Sequence, residues 1–107
     1  MIKSIIQLKT IAHARSGDKG NHANIGVIAY TEKGYRHLLK YLTAKKVKSY
    51  FKTLCEGEVK RYLLPNIHAL NFVLYDSLDG GAGASLRTDS QGKTFAVSLL
   101  QIELPGL

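Results

Sequence analysis

Seven consecutive residues, Arg15-Ser16-Gly17-Asp18-Lys19-Gly20-Asn21, combine two glycines with both signs of charge and with side chains that donate and accept hydrogen bonds. Glycines let a backbone turn tightly and bring its N–H groups close to an anion. Arg15 and Lys19 would add positive charge, while Asn21 and the nearby Asn24 can both donate and accept. A phosphate or carboxylate suits such a loop. An equally plain account is a capped connection in which Asp18 and Asn21 bond their own backbone, and composition leaves both open. The loop is not a Walker A motif, because the Gly-Lys-Ser/Thr ending is missing and a strand, not a helix, is expected to follow. Gly17-Asp18-Lys19-Gly20 matches the bare Gly-x-x-Gly of RNA-clamping KH domains, but there the tetrad joins two helices, and here it joins expected strands.

A second glycine segment, Gly80-Gly81-Ala82-Gly83-Ala84-Ser85, precedes Arg87 and an expected helix. Glycines before a helix N-terminus also suit an anion. The two segments would form one site only if the fold brought them together. Four histidines, His13, His22, His37 and His68, show neither His-x-His nor His-x₃-His spacing, and one cysteine makes no pair, so no metal site is expected. A Ser16, His13 and Asp18 triad lacks the strained nucleophile elbow such chemistry uses and is rejected. Cys55, beside Glu56, lacks the positive surroundings of a reactive thiol. Tyr62 and Tyr75 read as core-edge residues. No catalytic residue is assigned; an acid–base role for Asp18 or His22 ranks last because neither has an evident partner.

These residues must be positioned by a small chain. At 107 residues, with 45% hydrophobic and 21% charged content, one ordinary globular domain spanning 1–107 is expected. A core of that size has little stability to spare, so a partner or a homo-oligomer could contribute. No run is long enough to span a bilayer, and the N-terminus alternates with polar residues too early for a signal peptide. With a single cysteine, a cytoplasmic location follows as the expectation. The net charge of +7 is local: nine basic and three acidic residues lie between Thr31 and Arg61. Such a stripe attracts nucleic acid or anionic lipid, or is a solvated helix face; the solvated face is favoured because no aromatic stands visibly exposed beside it.

Period-2 alternation from Ser4 to Ala14 predicts a strand, interrupted by the loop from Arg15 to Asn21. Asn24–Tyr30 reads as a buried β-branched strand. Tyr35, Leu38, Leu39 and Leu42 share helical spacing, as do Val47, Tyr50, Phe51 and Leu54. The phase breaks between the two sets, and Thr43 suits an N-cap there, which predicts two helices or one kinked helix. Gly57 is placed as a C-terminal cap. Glu58–Leu64 reads as an exposed strand stopped by Pro65-Asn66, and His68–Tyr75 as a strand with an apolar centre. A final helix is expected from about Asp89, with Phe95, Leu99 and Ile102 on one face and a short strand at Ile102–Leu104. The order β-β-α-β-β-α(-β) gives an α+β fold, helices on one face of a mainly antiparallel sheet, close to a ferredoxin-like sandwich.

At this point a family resemblance emerges. The run Ala14-Arg15-Ser16-Gly17-Asp18-Lys19-Gly20-Asn21-x-Ala23-Asn24-Ile25-Gly26-Val27 resembles the opening motif of the ferredoxin-like domain at the C-terminus of acyclic terpene utilisation AtuA-type proteins. The similarity continues in Leu64-Pro65-Asn66-Ile67-x-Ala69-Leu70-Asn71-Phe72-Val73-Leu74. It recurs in Gly80-Gly81, in Ser85-Leu86-Arg87-x-Asp89 and in Gln91-Gly92-Lys93. Two positions depart from the pattern: His22 stands where an acidic residue is expected, and Gly-Gly-Ala-Gly replaces a more usual Gly-Gly-Gly. The resemblance implies a ferredoxin-like sandwich with no iron–sulfur cluster or other cofactor, associated with breakdown of branched isoprenoid or related acyl-CoA compounds.

The leading expectation is therefore a small accessory subunit of a large AtuA-type protein. It would hold an anionic acyl-CoA-like ligand through Arg15, Ser16, Gly17, Asp18, Lys19, Gly20, Asn21 and Asn24, aided by Gly80, Gly81 and Arg87. The rival expectation is a free-standing nucleic-acid-binding module that uses the basic helical segment.

Overall fold

The computed structural model of the chain describes residues 4–19, 22–51, 57–75 and 95–106. A short strand, β1 (Ile5–Gln7), leads through a 3₁₀ turn at Leu8–Thr10 into β2 (Ala12–Lys19) and β3 (His22–Ala29). Two helices follow, α1 (Glu32–Tyr41) and α2 (Ala44–Tyr50), then β4 (Val59–Leu64), a 3₁₀ turn at Pro65–Ile67, and β5 (Ala69–Leu74). A third helix, α3, covers residues 95–99, and β6 (Glu103–Pro105) follows it.

Two hairpins lie side by side in one four-stranded antiparallel sheet of order β2-β3-β5-β4. β1 and β6 pair separately as a two-stranded antiparallel ribbon. The arrangement is α+β and consistent with a ferredoxin-like fold, as expected. Alternation decides which face of the sheet is buried. Ala23, Ile25, Val27 and Ala29 of β3 and Leu70, Phe72 and Leu74 of β5 are buried. They meet Tyr35, Leu38, Leu42, Val47 and Phe51 from the helices in one core cluster, which Phe95, Leu99, Ile102 and Leu104 extend. The helices thus cover one face of the sheet, and β3 and β5 are its central strands.

The break between the helices has the expected cause. Thr43 Oγ1 accepts from Lys46 N at 3.1 Å and caps α2, while Leu42 ends α1 with non-helical dihedrals. Thr31 caps α1 in the same way, accepting from Gly34 N at 2.9 Å. Three expectations change. The strand predicted over Ser4–Ala14 is two strands, because the 3₁₀ turn swings the chain from the β1–β6 ribbon to the main sheet, with Leu8 and Lys9 N–H groups bonded to Ile102 and Leu100 carbonyls. Gly57 caps no described helix: α2 ends at Tyr50, and Gly57 N donates to Tyr75 O at the open end of the β4–β5 hairpin. Most of the predicted loop Arg15–Asn21 is strand, since β2 pairs with β3 from Ala12↔Ala29 through Lys19↔His22. Among the described residues no helix is long and apolar enough to cross a membrane.

Candidate functional site

The register of β2, β3 and β5 sorts the predicted site residues onto two faces. Cross-strand partners share a face and successive residues alternate. Ser16 pairs with the buried Ile25 and so takes the helix-covered side. Arg15 pairs with Gly26 and Gly17 with Asn24, which places all four on the face that the helices leave open. Asp18 and Lys19 occupy the end of the ladder opposite Ala23 and His22. Gly20, Asn21, Gly80, Gly81 and Arg87, with Cys55 and the start of the final helix, lie outside the described residues.

An extended strand changes how the Arg15–Lys19 stretch can bind anything. Its N–H groups alternate in direction along the ladder, so through Lys19 they do not form the converging backbone nest expected of a loop. What remains available is side-chain chemistry on an open sheet surface. Arg15 and Asn24 are exposed, and among the described residues neither side chain makes a hydrogen bond or ion pair.

The same face holds residues that the sequence did not single out. Gly26 pairs across β3–β5 with Asn71, and Asn24 with Val73. Asn71 is half-buried, and its amide likewise has no partner among the described residues. Two glycines and two asparagines, residue types depleted from strands, thus cluster at the middle of the open face. One flank is aromatic. Tyr75 meets His22 edge-on with ring centroids 4.9 Å apart, lies 5.9 Å from Lys60 Nζ, and is hydrogen-bonded to Tyr62. At the far end His13 stacks on Tyr30 at 5.6 Å.

A concavity of about 270 Å³ opens between this flank and the polar centre, lined by His22, Ala23, Asn24, Val73 and Tyr75. A larger hollow, about 460 Å³, lies along the β1–β6 ribbon between Ser4, Ile5, Glu103, Leu104 and Pro105. That hollow is bigger but offers one charged group, Glu103, and lacks the converging polar side chains that fix a ligand. The open face of the main sheet is the better candidate. The phenol of Tyr75 is held above its ordinary pKa, first by the Tyr62 hydrogen bond and the neighbouring Tyr62 charge, with Lys60 pulling the other way. Tyr62 and Tyr75, read from sequence as core-edge residues, lie on the open face of the sheet. Alternation alone could have revealed Asn71 and Gly26: each sits one step out of phase with the buried Leu70, Phe72, Ile25 and Val27.

Cations of the basic segment have structural work. Arg61 Nη1 donates to the Leu39 and Leu42 carbonyl oxygens at 3.1 and 3.0 Å, closing the C-terminus of α1. Lys48 Nζ donates to the Gly57 carbonyl. Arg36 pairs with Glu32 one turn earlier at 2.8 Å on the exposed side of α1. Among the described residues no group of three or more His, Cys, Asp or Glu side chains could hold a metal ion.

Comparison with curated proteins and with solved structures finds no match. One family model does match, that of the AtuA ferredoxin-like domain, over residues 6–105. That range takes in both hairpins, the helical layer and the open face, and the chain belongs to this family.

Proposed function

We propose that the protein is a small cytoplasmic accessory subunit of an AtuA-type protein, and that it binds an anionic acyl-CoA-like ligand in isoprenoid or branched acyl breakdown. Family membership supports the AtuA-related role. The single observation that supports a ligand is the placement of Arg15 and Asn24, exposed and without partners among the described residues, beside Gly17 on a sheet face that no described helix covers. An exposed guanidinium suits a phosphate or carboxylate, and an amide beside it adds orientation.

Co-purification with an AtuA-type protein, followed by titration of acyl-CoAs into each component and into the mixture, tests this reading. A stable complex whose acyl-CoA affinity falls on Arg15→Ala supports it. Absence of both a complex and any acyl-CoA response overturns it.

A further inference from the structure

The centre of the open face is made of residues that a strand would not select for its own stability. Gly26 sits in the middle of a central strand, and a Cβ built there would meet, among the described residues, only the Arg15 carbonyl oxygen at 4.0 Å. Packing among the described residues leaves room for a side chain at this position, and any β-branched residue would suit a strand better. A glycine inside a strand often marks the place where a ligand or another backbone comes close. Asn71 stands opposite Gly26, and Asn24 lies two residues along the same strand. Diagonal neighbours on one face are roughly 7 Å apart, comparable to the separation of two secondary amides in an extended chain.

The donors and acceptors define the ligand's chemistry. An anion is recognised by donors alone, and Arg15 supplies them. A primary amide offers a donor and an acceptor together, which complements the N–H and C=O of a secondary amide. A protein strand would join a sheet at its edge through backbone hydrogen bonds. Here the approach is onto the face of central strands whose backbone groups are already engaged in the ladder, so contact is made through side chains across a low glycine floor.

Resting on the acyl-CoA reading above, we infer that this floor holds the pantetheine-type arm of the ligand. The arm lies flat over Gly26, its two secondary amides bonded by Asn71 and by Asn24, whose amide leans over Gly17, with the anionic end toward Arg15. The floor has to stay free of side chains because the arm occupies that space.

Calorimetric titration of the full chain, alone and mixed with an AtuA-type protein, with coenzyme A, pantetheine and adenosine 3′,5′-bisphosphate tests the inference. Pantetheine is expected to bind and to compete with coenzyme A. Gly26→Val is expected to weaken both by about tenfold or more while the melting temperature holds or rises, and Asn71→Val should do the same. Arg15→Ala should weaken coenzyme A and the bisphosphate but leave pantetheine within about twofold. If coenzyme A and the bisphosphate bind through Arg15 while pantetheine does not and Gly26→Val is silent, the inference fails and the acyl-CoA reading stands. If none of the three probes binds in either preparation, both fall.

Discussion

Gly17 and Asn24 stand opposite each other in the β2–β3 ladder, and the Asn24 Oδ1 lies 3.2 Å from the point a Cβ on residue 17 would occupy. The amide leans over the glycine into space that a side chain at residue 17 would claim. Gly17→Ala should displace the exposed Asn24 amide by a few tenths of an ångström. Because that amide can rotate into solvent, folding stability should stay within about 0.5 kcal/mol of the parent, helped by the better strand propensity of alanine. Affinity for an acyl-CoA should fall by about 1 kcal/mol, roughly fivefold, through loss of one oriented hydrogen bond. Calorimetry beside thermal melting separates the two effects; a variant that loses stability but keeps affinity would make Gly17 a packing residue.

Arg61 and Lys60 are neighbours in one basic run, yet the fold uses them differently. Arg61 is half-buried and joins β4 to the end of α1 through two carbonyl oxygens. Lys60 is exposed and reaches Glu58 at only 3.9 Å. Arg61→Met should therefore cost about 2 kcal/mol, since a charged donor is lost and two helix-terminal carbonyls are left without it. Lys60→Met should cost about 0.5 kcal/mol or less. Urea denaturation midpoints check the difference, and equal costs would show that the Arg61 clamp is not stabilising.

That contrast also shows where the sequence was legible and where it was not. The phase break after Leu42 and the hydroxyl of Thr43 announce two capped helices, because capping is local and one turn of chain contains the whole interaction. The split of the first strand is not announced: Leu8 and Lys9 leave the strand for partners at Ile102 and Leu100, more than ninety residues away. Arg15 to Lys19 looked like a loop because glycine and charged residues are poor strand formers, and pairing with β3 overrides that propensity. The candidate site was half legible. Arg15, Gly17 and Asn24 stood out by type, whereas Asn71, Tyr62 and Tyr75 join them only through the β3–β5–β4 register.

The Tyr62–Tyr75 hydrogen bond carries a pH prediction. The Tyr75 phenol is raised from its ordinary 10.0, chiefly by that bond, while Lys60 acts to lower it. A raised pKa in the folded state means the native protein holds the proton more tightly than the unfolded chain does. Any stability this provides is fully present below pH 10 and is lost as pH rises through the folded value. Ultraviolet difference titration of the phenolates should show one tyrosine ionising late. Tyr62→Phe should bring it back toward the ordinary range, and Lys60→Met should push it further up. A late tyrosine unaffected by Tyr62→Phe would assign the shift to another cause.

The basic segment separates the ligand-binding reading from the nucleic-acid one. Lys45 and Lys46 lie on α2, in the layer on the opposite side of the sheet from Arg15, Asn24 and Gly26. Nucleic-acid binding through that layer would weaken steeply with salt, with a log–log slope near −0.7 for each phosphate neutralised on a single strand. The double substitution Lys45→Gln, Lys46→Gln should leave the circular dichroism spectrum unchanged and acyl-CoA affinity within about twofold, since those charges do not face the floor. Fluorescence anisotropy with a generic single-stranded RNA over a salt series should show no steep slope in the parent. A steep slope that flattens by about 1.4 on the double substitution, with acyl-CoA binding absent, would transfer the function to the helical layer and leave the open face without a ligand.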